Sequence, residues 1–133
     1  MIRSLILLVA GLFGVAGIAA RSFEAHGINA LADISAPRLN DFSSGTEMLL
    51  FHALALLALS CRPNANSMVN FLTAATLAVG TLLFAAPLLT YGVTGSRDFI
   101  VLTPIGGVLM IAGWVSLAVC GAIGLLKRSP EAP

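Results

Sequence analysis

Charge is what this chain has least of. Only 10% of its 133 residues are charged, against about 25% in a soluble domain of ordinary composition. So few ionic side chains cannot coat a globule, which excludes an ordinary water-soluble domain and makes lipid the expected solvent. An excess of one sign is lacking too. Seven basic and six acidic residues leave a net charge of +1, so there is neither a basic face for nucleic acid nor an acidic tail. Cysteine is scarce. Cys61 and Cys120 stand far apart without metal-ligand spacing, which excludes a disulfide framework and a zinc site and leaves two small apolar packing residues. There is no Ser–His–Asp set, no HExxH sequence and no phosphate loop. The chain is therefore expected to be no enzyme and to carry no metal or cofactor.

What the chain does have is long uncharged apolar sequence, 58% hydrophobic overall. A helix needs about 20 apolar residues to cross ~30 Å of hydrocarbon. Four runs meet that need. They predict a single domain of all-α class, an integral membrane bundle of four transmembrane helices with spans at about 2–20, 44–61, 68–94 and 103–126. Arg3 and Arg21 bracket the first run, Arg62 and Pro63 end the second, and Lys127 and Arg128 close the fourth. No charge occurs from Pro63 to Ser96, which is too long for one span, so the polar stretch 63–67 is expected to be a loop. Local signals supply the borders. Ser44 followed by Glu47 fits a capping box, and Thr103 before Pro104 fits an N-cap with proline at the first helical position. Pro87 falls inside the third span and is expected to kink it. Residues 22–43, with Phe23, Ile28, Leu31, Ile34, Leu39 and Phe42 among charges, are expected to lie along the membrane surface. Within them Ser35-Ala36-Pro37 reads as a helix start. Arg3, the apolar run and the small residues at 17–19 also fit a signal peptide, the less favoured reading of the first span.

Helices in lipid associate through close backbone approach rather than hydrophobic burial. Gly14, Gly17, Gly80, Gly107 and Gly113 are the expected packing positions, with the bilayer itself, a larger membrane complex or a second copy of the chain as partners. With four spans both termini share a side that carries Arg3, Arg62, Lys127 and Arg128, against Arg21, Arg38 and Arg97 opposite. Four against three places the termini in the cytoplasm.

Three residues are candidates for chemistry: His26, Glu47 and His52. No Asp, Glu, Lys or Arg stands at mid-bilayer in any span, which argues against an ion-coupled pump. His52 does lie within a span. An ionisable group there is a functional-site hypothesis by default, its plainer reading being a neutral histidine hydrogen-bonded between helices. Glu47 is five residues earlier and points about 140° away around the helix, so the two form no dyad. Its expected role is the cap, or a pair with Arg21 or Arg38. His26 lies just past the first span and is the one residue with which His52 would bind haem or a metal.

Four blocks carry a resemblance. They are Phe23-Glu24-Ala25-His26; SSGTEMLLFHALAL at 43–56; Val79 to Phe84; and LTPIGGVLMIAGW at 102–114. In this order they resemble the YgdD/YwdK family of small inner-membrane proteins (domain of unknown function family 423, with mitochondrial relatives). Two departures are Glu24, where the family reads glycine, and Ala85-Ala86-Pro87, where it reads Ser-Gly-Ser. The resemblance implies four spans and an inner-membrane home, and marks His26, Glu47, His52, Thr103 and Pro104 as motif positions without assigning them roles. Three functions compete: a non-enzymatic structural or accessory component of a membrane complex, a small channel or carrier with His52 as a pH-sensitive element, and a haem or metal binder using His26 and His52.

Overall fold

The computed structural model describes residues 1–28 and 34–127. They form four long helices: α1 (Ile2–His26), α2 (Ala36–Cys61), α3 (Met68–Thr94) and α4 (Leu102–Leu126). All four are long and apolar enough to span a bilayer. The chain is an integral membrane protein of all-α class.

Two helices run further than the charge pattern predicts. Residues 22–26 continue α1, and 36–43 belong to α2. The described part of 22–43 is thus the projecting ends of two spans rather than a separate surface element; residues 29–33, including Leu31, lie outside the described set. The reason is physical. A charge ends the stretch that hydrocarbon accepts, but Arg21, Glu24 and Arg38 are no obstacle to a helical backbone, and Arg21 pairs with Glu24 at 2.7 Å across one turn. Gly27 ends α1, and Ser35 with Pro37 in the first turn begins α2. Ser44 is therefore no cap. It sits inside α2, its hydroxyl donating to the Asn40 carbonyl at 2.9 Å. Thr103 is no cap either: α4 begins after Val101, and Thr103 Oγ1 is buried without a partner among the described residues. Pro104, the third residue of α4, still lies in the first turn, where its missing N–H breaks no helical bond. By contrast Ser67 caps α3, accepting from the Asn70 N–H at 3.2 Å. Gly95, at φ 75°, ends that helix in a left-handed turn that glycine adopts without steric cost.

The helices pack in chain order, α1 on α2, α2 on α3 and α3 on α4, with α1 touching α3 only sparsely. The core lies among the first three. Ile6, Ala10 and Phe13 meet Leu49, Leu56 and Leu59 of α2 and Ala74, Leu77 and Ala85 of α3. α4 lies on α3 from outside and buries only Gly106, Met110 and Gly113.

Glycines set the seams. A Cβ on Gly106 would stand 2.5 Å from the Phe84 nitrogen and 2.6 Å from the Gly80 carbonyl oxygen, so α3 and α4 cross backbone to backbone. The same antiparallel register places Gly113 against Leu77 and joins the Thr73 and Ser116 hydroxyls at 2.8 Å. Gly17 meets Leu49 and Leu50 of α2, and Gly45 meets Ala85 and Leu88 of α3. Two expected packing glycines are placed otherwise. Gly14 has nothing within 4 Å, and Gly107 only the edge of Phe84 at 3.9 Å. The contact that Gly107 was expected to make belongs to its neighbour Gly106, because a step of one residue turns the helix by about 100°.

Candidate functional site

His52 is 96% buried, at a relative exposure of 4%, on the face of α2 turned toward α4. It lies five residues, or about 7.5 Å, deeper than Glu47 and ten residues, about 15 Å, from Arg62 at the far end of the helix. Its ring is held from two sides. Nδ1 stands 2.9 Å from the Met48 carbonyl oxygen, one turn back in α2, and the Trp114 indole Nε1–H donates to Nε2 at 3.3 Å. The carbonyl only accepts and the indole only donates. Nδ1 therefore carries the proton and Nε2 offers a lone pair, the neutral tautomer. The two rings meet edge to face with centroids 6.1 Å apart. Trp114 is itself half exposed and covers the histidine on the side that faces lipid. Met48, Phe51, Leu54 and Ala55 complete a shallow groove of about 580 Å³ over the pair.

Sequence reasoning named His52 and missed its partner. Trp114 had entered only as the last residue of the 102–114 block. A donor-only indole at mid-span in one helix and an acceptor-bearing imidazole at mid-span in another was the available signal. Their meeting depended on how α4 crosses α3.

The other two candidates lie elsewhere. Glu47 is exposed on α2, one turn before Phe51. It makes no ion pair among the described residues: Arg21 pairs with Glu24 and also reaches the Ser43 hydroxyl at 3.4 Å, while Arg38 donates to the Gly92 and Val93 carbonyls, both at 3.0 Å. His26 is exposed at the end of α1. The register of α1 on α2, with the Phe23 ring 6.0 Å from that of Phe42, sets His26 beside the start of α2. Phe42 is ten residues from His52, about 15 Å along the helix, so the two histidines do not meet. Both nitrogens of His52 are engaged. Among the described residues no three His, Cys, Asp or Glu side chains gather where they would hold a metal. The geometry therefore lends nothing to haem or metal ligation by this pair.

Apart from Thr103 Oγ1 and Arg38 Nε, which have no partner among the described residues, the other buried polar groups are satisfied within the fold. Thr46, Thr81 and Thr73 each donate to the carbonyl one turn back, at 2.8–3.0 Å. The Asn70 amide bridges the Leu59 and Ala65 carbonyls. In the α3–α4 connection Arg97 donates to the Tyr91 hydroxyl at 3.0 Å and stacks on its ring. That hydrogen bond, with the attraction of the phenolic oxygen, raises the Arg97 pKa.

A family model described as Protein of unknown function (DUF423) matches residues 19–107. It takes in His26, Glu47 and His52 and stops short of Trp114. A UPF0382 membrane protein of Haemophilus influenzae is 31% identical over 84% of this chain and 89% of its own length. The UPF0382 inner membrane protein YgdD of Escherichia coli is 30% identical over 96% of each chain. A UPF0382 membrane protein of Schizosaccharomyces pombe is 31% identical over 84% of this chain and 96% of its own. No solved structure matches.

Proposed function

The chain belongs to the DUF423 family of multi-pass inner-membrane proteins, and on that premise we propose that it is a non-enzymatic structural or accessory component of a larger membrane assembly. The observation that carries this reading is a set of glycines outside the internal packing. Gly11 and Gly14 of α1, and Gly121 and Gly124 of α4, have nothing among the described residues within 4 Å of where a Cβ would stand. Each destabilises its helix by about 1 kcal/mol relative to alanine, and no contact among the described residues offsets that. In lipid such positions let a further helix approach closely. Purification in mild detergent with identification of co-purifying proteins tests the proposal. A recurrent partner or a defined oligomer is expected, lost in the double variant Gly121→Leu, Gly124→Leu. A partner-free monomer counts against it.

A second reading, a small channel or carrier gated through His52, draws on the Trp114 bond. Protonation at Nε2 replaces an acceptor by a donor and opposes the indole N–H, loosening α4 from α2. Liposome flux that His52→Ala leaves unchanged removes this reading.

A further inference from the structure

The two ends of the molecule differ in how their cations are used. At the end where α1 and α3 finish, the arginines have partners: Arg21 has Glu24, Arg38 has two carbonyls of α3, and Arg97 has Tyr91. The acids Glu24, Asp41, Glu47 and Asp98 also lie toward that end. At the opposite end, where α1 and α3 begin, stand Arg3, Arg62 and Lys127, all exposed, with no carboxylate among the described residues. Among the described residues Arg62 reaches only the Asn70 amide oxygen, at 3.5 Å. Arg3 is held by its backbone, whose N–H donates to Asn66 Oδ1 at 3.0 Å, and its guanidinium has no partner among the described residues.

Below Arg3 the sparse α1–α3 seam opens as an apolar groove of about 220 Å³. Leu5, Ile6 and Val9 form one wall, Phe71, Ala75 and Val79 the other, over Leu56 of α2. The eight-residue step along α3 from Phe71 to Val79 gives it a length of about 12 Å, most of the ~15 Å thickness of one leaflet. Arg3 lies one turn before Ile6 on α1, which puts its guanidinium within reach of the groove's outer end.

A cation without a counter-ion among the described residues, above a leaflet-deep apolar groove, is complementary to one kind of molecule, an anion with a hydrocarbon chain. We propose that this groove binds an anionic phospholipid of the leaflet on the Arg3 side, one acyl chain lying between α1 and α3 and the phosphate on the Arg3 guanidinium. Zwitterionic lipid matches the groove but not the charge, and a partner helix matches the groove without needing Arg3.

The test is native mass spectrometry of the full chain released from vesicles of equimolar phosphatidylglycerol and phosphatidylethanolamine. The wild type is expected to retain phosphatidylglycerol preferentially. Arg3→Gln, at an exposed side chain that bonds only through its backbone, is expected to lower that preference about fivefold, the worth of one basic residue at an anionic surface. Ala75→Leu, which fills the groove, is expected to lower retention of both lipids. Leu5→Phe, at the half-exposed lip, repeats that test where folding is not at risk, and helical content by circular dichroism is the control. No preference in the wild type, or a preference that Arg3→Gln leaves unchanged, overturns the proposal. So does a co-purified protein that Ala75→Leu or Leu5→Phe displaces in place of lipid. The result is independent of the accessory role, which is read from the glycines of α1 and α4 and not from this end.

Discussion

A histidine in hydrocarbon has two nitrogens to satisfy, and the structure shows how one neighbour on its own helix and one on another do it. The Met48 carbonyl lies one turn back in α2, so half of the solution is local. The other half is a bond between helices, Trp114 to His52, at 3.3 Å. Interhelical hydrogen bonds in membranes are worth about 0.6 kcal/mol on average and up to about 1.7. Trp114→Phe keeps an aromatic cover but removes the donor. It is expected to lower stability in detergent by about 0.5–1.5 kcal/mol, measured by reversible denaturation. An unchanged midpoint would mean that the indole only shields the ring. At this scale the sequence exposed His52 as an ionisable residue in an apolar run, and a five-residue spacing was enough to rule out a dyad with Glu47. It could not reveal Trp114, because the two are 62 residues apart and meet only once α4 has docked.

At the scale of the element, the four helices were legible and two of their ends were not. Hydrophobic runs report where lipid is tolerated, whereas backbone breakers report where a helix stops. At Ser67 the two signals coincide, and sequence and structure agree on where α3 begins. At Arg21 and Ser44 they do not, and the helices project beyond the apolar stretch. Which face of α4 a glycine occupies was equally hidden, since residues 106 and 107 are alike in type and differ only in angle. Gly106 has backbone on two sides, and neither the Phe84 nitrogen nor the Gly80 carbonyl can yield as a flexible side chain would. Gly106→Ala is therefore expected to force α3 and α4 apart, lowering stability by about 1–3 kcal/mol, while Gly107→Ala stays within about 0.5 kcal/mol of wild type. Equal effects of the two would contradict the crossing described.

For the whole molecule, the open order of packing matters more than the number of helices. α1 and α4 lie outside an α2–α3 centre, and both keep long apolar faces toward lipid or partners. The basic residues then give a direction. Arg3, Arg62 and Lys127, with Arg128 next in sequence, share the end at which the described chain begins and finishes. The positive-inside rule expects that end in the cytoplasm. In a background free of Cys61 and Cys120, a membrane-impermeant maleimide applied to spheroplasts is expected to label Ser96→Cys in the α3–α4 connection. Asn64→Cys in the α2–α3 turn should react only after permeabilisation. The reverse pattern would invert the molecule.

The sequence by itself determined the solvent, the number of spans and the all-α class, because each follows from local composition and from the rise of a helix. Only the tertiary structure decided which glycines touch backbone, that Trp114 closes over His52, that His26 stays apart from it, and that a groove opens between α1 and α3. Those depend on the rotation of each helix about its own axis. In lipid that rotation is chosen by close packing among helices, since an apolar face meets hydrocarbon whichever way it turns.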